Sequence, residues 1–186
     1  MKFPLAMTTL IASAALAAPV FADMDREEAA VAKHVIEQSG FTAIHALEAA
    51  QQAVKGVAYE YELDDDKDEL VHEIKLINLD NKSSYKVKVS AHDGALTQKE
   101  EKYSCLVLCD DDDIEEAQAL SESGITLSDA IDKAALGADE LLLEAEVEME
   151  LGVRYIKLET LGPEGEKDRL IDMDSGQTIP TLTRPD

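Results

Sequence analysis

The sequence predicts an α+β fold of two tandem units, each a helix-turn-helix packed on one face of a small antiparallel sheet. Three observations carry that expectation. Short helical patterns give way twice to segments of strict apolar–polar alternation, the period of a half-buried strand. Turn glycines punctuate both halves in the same order. The chain also aligns on itself, which is the mark of an internal repeat.

At an offset of 84 residues, Ser39-Gly40-Phe41-Thr42 falls on Ser123-Gly124-Ile125-Thr126, and Ala46-Leu47-Glu48 on Ala130-Ile131-Asp132. Glu60-Tyr61-Glu62-Leu63 then falls on Glu144-Ala145-Glu146-Val147. Two residues missing from the first hairpin of the second copy would change the offset to 82. That places Ile74-Lys75-Leu76 on Ile156-Lys157-Leu158 and Gly94 on Gly176. The expected units are 23–103 and 114–186, joined by a linker over 104–113.

Each unit reads alike. Arg26 to Gln38 has Ala30, Val31, His34 and Val35 at helical spacing and is stopped by Ser39-Gly40. Thr42 can cap a second helix whose stripe is Ile44, Leu47, Ala50 and Val54. Val57, Tyr59, Tyr61 and Leu63 alternate with Glu60 and Glu62, and Asp64 to Glu69 reads as a charged hairpin loop. Leu70 to Ile77 and Tyr85 to Val89 give two more strands, and Asp93-Gly94 a turn. In the second unit Asp113 and Glu116 resemble a capping box. Thr126 or Ser128 opens a helix ending near Gly137, and Leu141 to Leu151 alternates with Glu144, Glu146, Glu148 and Glu150. Tyr155 to Glu159, Arg169 to Met173 and the Ser175-Gly176 turn complete it.

The segment MKFPLAMTTLIASAALAAPVFA reads as a cleavable export signal: Lys2, an apolar run from Leu5 to Ala18, and cleavage after Ala22. The run is too short and too interrupted for a membrane span. No Cys follows the cleavage point, so a lipid-modified N-terminus is not expected. The destination this implies is the periplasm, with the extracellular space second.

A formal charge of -23 excludes a general nucleic-acid role, because phosphate binding needs clustered Lys and Arg. It disfavours anionic membranes and favours basic protein surfaces or cations. With no Trp, a sugar-stacking platform is not expected.

An Ala-rich helix ending in Gly, alternating strands, and a closing strand with Asp and a turn Gly form a recurrent pattern. It appears as Ala49-Ala50, Gly56, Tyr85 to Ala91 and Asp93-Gly94, and again as Ala134-Ala135, Gly137 and Asp172-Met173-Asp174-Ser175-Gly176. This pattern resembles the PepSY family from about Phe41 onward. The doubled arrangement also looks like that of β-lactamase inhibitor proteins, an analogy of fold alone. The resemblance implies a protein partner, through inhibition or regulation of a peptidase or another binding role in the cell envelope. It brings no shared catalytic residues. Since no peptidase is attached, it favours a free-standing binder over a propeptide.

Few residues stand out chemically. Cys105 and Cys109 are the only thiols, and export would let them oxidise. On a straight strand they would lie roughly 13 Å apart, beyond the roughly 7 Å a disulfide spans, whereas a bend would allow the bond. A local disulfide, two free thiols and metal ligation all remain open. Asp110, Asp111 and Asp112 follow directly and are the weak candidates for a cation site, with a helix-capping linker as the plainer alternative. This pairing motivates the alternative function, a periplasmic metal-binding or metal-handling accessory. Asp64 to Glu69 lacks the Gly and terminal Glu of a calcium loop. His34, His45, His72 and His92 show no metal-ligand spacing, and no nucleophile–base arrangement or acid–base pair emerges, so the chain reads as a non-enzyme without cofactor. Glu144, Glu146, Glu148 and Glu150 could dock a basic peptide, or simply face solvent.

Overall fold

The computed structural model describes residues 24, 26–102 and 111–181. Its elements run α1 (Arg26–Ser39), α2 (Ala43–Ala53), β1 (Val57–Asp66), β2 (Glu69–Asn78), β3 (Ser83–Ser90), β4 (Leu96–Lys102), α3 (Asp111–Ser123), α4 (Leu127–Ala134), β5 (Leu141–Glu150), β6 (Val153–Gly162), β7 (Gly165–Asp172) and β8 (Thr178–Ile179). The class is α+β, with the helices packed against an antiparallel sheet. That sheet is continuous: β1 and β5 pair, giving eight strands in the order β4-β3-β2-β1-β5-β6-β7-β8.

Local chemistry explains the helix starts and stops. Gly40 and Gly124 take φ of +70° and +71° and end α1 and α3, donating to the Ile36 and Leu120 carbonyls at 2.8 and 3.2 Å. Glycine meets no steric penalty in that left-handed conformation. Just after each, a threonine caps the next helix. Thr42 N–H donates to His45 Nδ1 at 3.2 Å, and Thr126 exchanges bonds with Asp129.

Apolar burial binds these parts into one core. Leu47, Ala50, Leu127 and Ile131 from α2 and α4 meet Tyr61, Ile74, Val87, Ala145, Ile156 and Ile171 from the sheet. Each fully buried large aliphatic side chain is worth about 1.5–3 kcal/mol. In α1 the inward residues are Ala29 and Ala32, with Ile36 partly buried, whereas Val31 is 64 % exposed. The expected stripe of Ala30, Val31, His34 and Val35 is therefore rotated, and small alanines set the contact. α3 packs against β1, β2 and β5, across the junction of the two halves.

Several boundaries differ from expectation. The charged loop at 64–69 contracts to a two-residue turn, Lys67-Asp68, with both φ positive because Asp66 and Glu69 already pair. Its counterpart is Leu151-Gly152. α3 starts at Asp111, so Asp113 sits in its first turn and does not cap it. α4 ends on Ala135, which takes the left-handed cap conformation in place of Gly137. The strand ladders also relocate the length difference between the halves. Val57 pairs with Ile77 and Asp66 with Glu69, while Leu141 pairs with Leu161 and Glu150 with Val153, so the offset of 84 persists through the whole first hairpin. Bulges at Tyr59 and Leu143 match at that offset too. The two-residue difference falls in the next turn, where Asn78 pairs with Ser83 but Gly162 pairs with Gly165.

Candidate functional site

The polar face expected for β1 and β5 becomes something more specific when the strands are laid side by side. Pairing places Lys88, Glu73, Glu62, Glu144, Glu159 and Asp168 in one row across β3, β2, β1, β5, β6 and β7. Five consecutive carboxylates thus cross the junction. Directly paired Cβ atoms in a sheet lie about 4.5–5.5 Å apart, and like charges at that distance destabilise. The neighbouring row is mixed: Lys86, Lys75, Glu60, Glu146 and Lys157.

Lysines temper the row at both ends. Glu73 is nearly buried and binds Lys86, and also Lys88 at 3.1 Å. Burial pushes its carboxyl up, but the two lysines more than offset this and hold it below the usual range. Lys75 reaches Glu60 at 2.5 Å. On the other side Lys157 contacts Glu146 at 3.2 Å, Glu148 at 3.5 Å and Glu159 at 3.9 Å. The centre of the row is different. Glu144 is half-buried between Glu62 and Glu159, and burial followed by the Glu146 charge pushes it up to about 7. Burial, then Asp64 and Glu73, raises Glu62. From α3, Glu116 adds a carboxyl that burial, then Asp113, Glu60 and Glu146, pushes up to about 8.

Beside this junction lies a hollow of about 620 Å³, lined by Ala119, Val147 and Met149 together with Glu115, Glu116 and Glu148. A second hollow, about 410 Å³, opens between α2 and α4, with Ile44, Tyr61 and Ile131 in its wall. Near its edge Arg169 holds Glu140 through both carboxylate oxygens at 2.7 Å.

The buried polar centre of the first half is His72. Its ring packs against Phe41 and Tyr61, each at 5.8 Å between centroids, and Nδ1 lies 2.9 Å from the Tyr61 hydroxyl. Nε2 has no hydrogen-bond partner among the described residues, although the nearby Phe41 backbone favours the protonated ring. Burial dominates and pulls the imidazole down to about 4, so the ring is neutral.

The four candidate glutamates therefore have unequal fates. Glu144 and Glu146 lie half-buried at the junction, Glu148 accepts from Tyr155 at 2.6 Å, and Glu150 is exposed at the hairpin end. Asp112 is exposed on α3. Ala22, Cys105, Cys109 and Asp110 lie outside the described residues, as does the side chain of Asp111. Among the described residues no three His, Cys, Asp or Glu gather as a metal ion requires, since the carboxylates form a row and do not surround a point. No described helix is long and apolar enough to cross a membrane. Sequence reasoning missed the Glu62–Glu144 opposition, the Glu116 contribution and the Glu140–Arg169 pair. Each joins residues far apart in the chain.

No curated protein matches this chain. The crystal structure of a candidate lipoprotein from Clostridium difficile 630 is similar at a TM-score of 0.42 and 14 % identity, over 73 % of this chain and 88 % of that one. Residues 45–100, from α2 to β4, match the PepSY family, described as peptidase propeptide and YPEB domain.

Proposed function

We propose that the chain is an exported, non-catalytic binding protein that inhibits or regulates a peptidase in the cell envelope. The observation that carries this reading is the match of residues 45–100 to a family named for peptidase propeptides. The N-terminal export pattern supports the location. A partner with a basic surface suits the carboxylate row and the chain's charge of -23. The caps Thr42 and Thr126, the bulges at Tyr59 and Leu143 and the helix-ending Gly40 and Gly124, all at an offset of 84, support an internal duplication, with units at 23–103 and 114–186 and a linker between them.

The test is residual activity of a panel of envelope and secreted peptidases titrated with the chain lacking residues 1–22. Saturable, stoichiometric loss of activity for at least one peptidase is the expected result. Unchanged activity throughout the panel at molar excess of the chain would contradict the proposal.

A further inference from the structure

We propose that the β5–β6 hairpin tip and the hollow beside it grip the protein partner, and that the gripped segment alternates apolar side chains with Lys or Arg. This deepens the binding reading above and rests on it. The tip is Glu150-Leu151-Gly152-Val153. Leu151 is 97 % exposed and has φ of +53°, the left-handed region that disfavours a bulky side chain. Two-residue turns of this kind select Asn, Asp or Gly. The corresponding turn in the other half, Lys67-Asp68, takes the same conformation with charged residues, so the hairpin does not need leucine to fold.

Met149 and Val153, 65 % and 43 % exposed, extend the apolar tip. Met149 also lines the 620 Å³ hollow together with Ala119 and Val147. The same hollow is lined by Asp112, Glu115 and Glu148. The one cation in the lining among the described residues, Arg154, is engaged by Glu122 at 3.5 Å and Asp174 at 3.3 Å. A lining that mixes apolar and acidic side chains matches an apolar side chain flanked by cations, because burial supplies affinity and the carboxylates supply selection. A second copy of this chain, at -23, would bring the same carboxylates against themselves.

Fluorescence anisotropy of two labelled synthetic peptides tests this, one alternating Leu with Lys and the other alternating Ser with Lys. The first should bind at least about tenfold more tightly than the second. Leu151→Asn should remove that advantage, while Asp68→Asn at the other tip should leave it intact. Because Asn accepts positive φ, Leu151→Asn should melt no lower than the parent, which separates lost contact from lost fold. Equal affinity for the two peptides, or full binding by Leu151→Asn, would overturn the proposal. So would Leu151-dependent dimerisation, or Leu151-dependent adsorption to phosphatidylcholine vesicles, without peptide selectivity. The peptidase panel run with Leu151→Asn separates the two readings. Undiminished inhibition by the variant sinks the tip and keeps the inhibitor, whereas peptide selectivity without any inhibition does the reverse.

Discussion

Gly40 and Gly94 share a backbone conformation near φ +70° but differ in what surrounds them. A Cβ built on Gly40 meets nothing within 4 Å, while one on Gly94 lies 2.5 Å from the Phe41 ring. Gly40→Ala should therefore cost only the left-handed strain, about 1–2 kcal/mol. Gly94→Ala adds overpacking against Phe41, itself packed at a tilt against buried His72, for a total of about 2–4 kcal/mol. Urea unfolding of the two variants checks the order, and equal losses would show that the Phe41 contact does not restrain the turn. The second half offers a milder copy. Gly176 has Ile125 at 3.3 Å, and Ile125 occupies the position equivalent to Phe41 at the offset of 84.

At the scale of elements, the two halves of the sheet are joined by a short ladder of three residue pairs between β1 and β5. The ladder joins Glu60 with Glu146, Tyr61 with Ala145 and Glu62 with Glu144. Replacing Glu144 by Gln keeps the shape and removes a charge that burial and the neighbouring Glu146 carboxylate disfavour. At pH 8, above its raised pKa of about 7, the parent residue is mostly ionised and Glu144→Gln should stabilise by about 0.5–1 kcal/mol. At pH 5 the parent carboxyl is already protonated and the gain should vanish. Denaturant melts at the two pH values decide this, and a gain independent of pH would show that ionisation of Glu144 is not the cause.

How much of this could be read in the sequence follows from the range of each interaction. Caps, turn glycines and strand alternation are local, so Thr42, Thr126, Gly94 and Gly176 stood where their patterns put them. The facing of α1 was misjudged because Ala29 and Ala32, not the larger Val31, make the contact. Propensity does not reveal which stripe a partner surface selects. The length difference lies one turn later than the similar triplets at 74–76 and 156–158 suggest, because only the ladder defines the register. The carboxylate row was invisible for the same reason: alternation gives each strand's faces, but not which strand from the other half lies beside it.

For the whole molecule, two sets of buried groups pull stability in opposite directions as pH changes. Glu116 and Glu144 keep their protons in the folded state up to about 8 and 7, whereas the unfolded chain releases them near 4.5. Between those values the folded state binds more protons, so stability falls as pH rises. Their combined effect from pH 5 to 8 should be on the order of 2 kcal/mol after solvent screening, and general self-repulsion of an acidic chain adds to it. His72 acts the other way. Its pKa of about 4 lies below the unfolded value of 6.5, so its contribution is lost as pH falls through that window, up to about 3 kcal/mol. Thermal melts across pH should thus peak between about pH 5 and 6.5. A profile rising steadily to pH 8 would refute this balance.

Carboxyl ¹³C chemical shifts of the glutamates, followed by NMR through a pH titration, test most directly the claim that two acidic half-sheets meet carboxylate to carboxylate. Glu144 should titrate near 7 and Glu116 near 8, with Glu62 raised and Glu73 lowered from the ordinary value. If all four titrate together near 4.5, the half-buried junction described here does not exist.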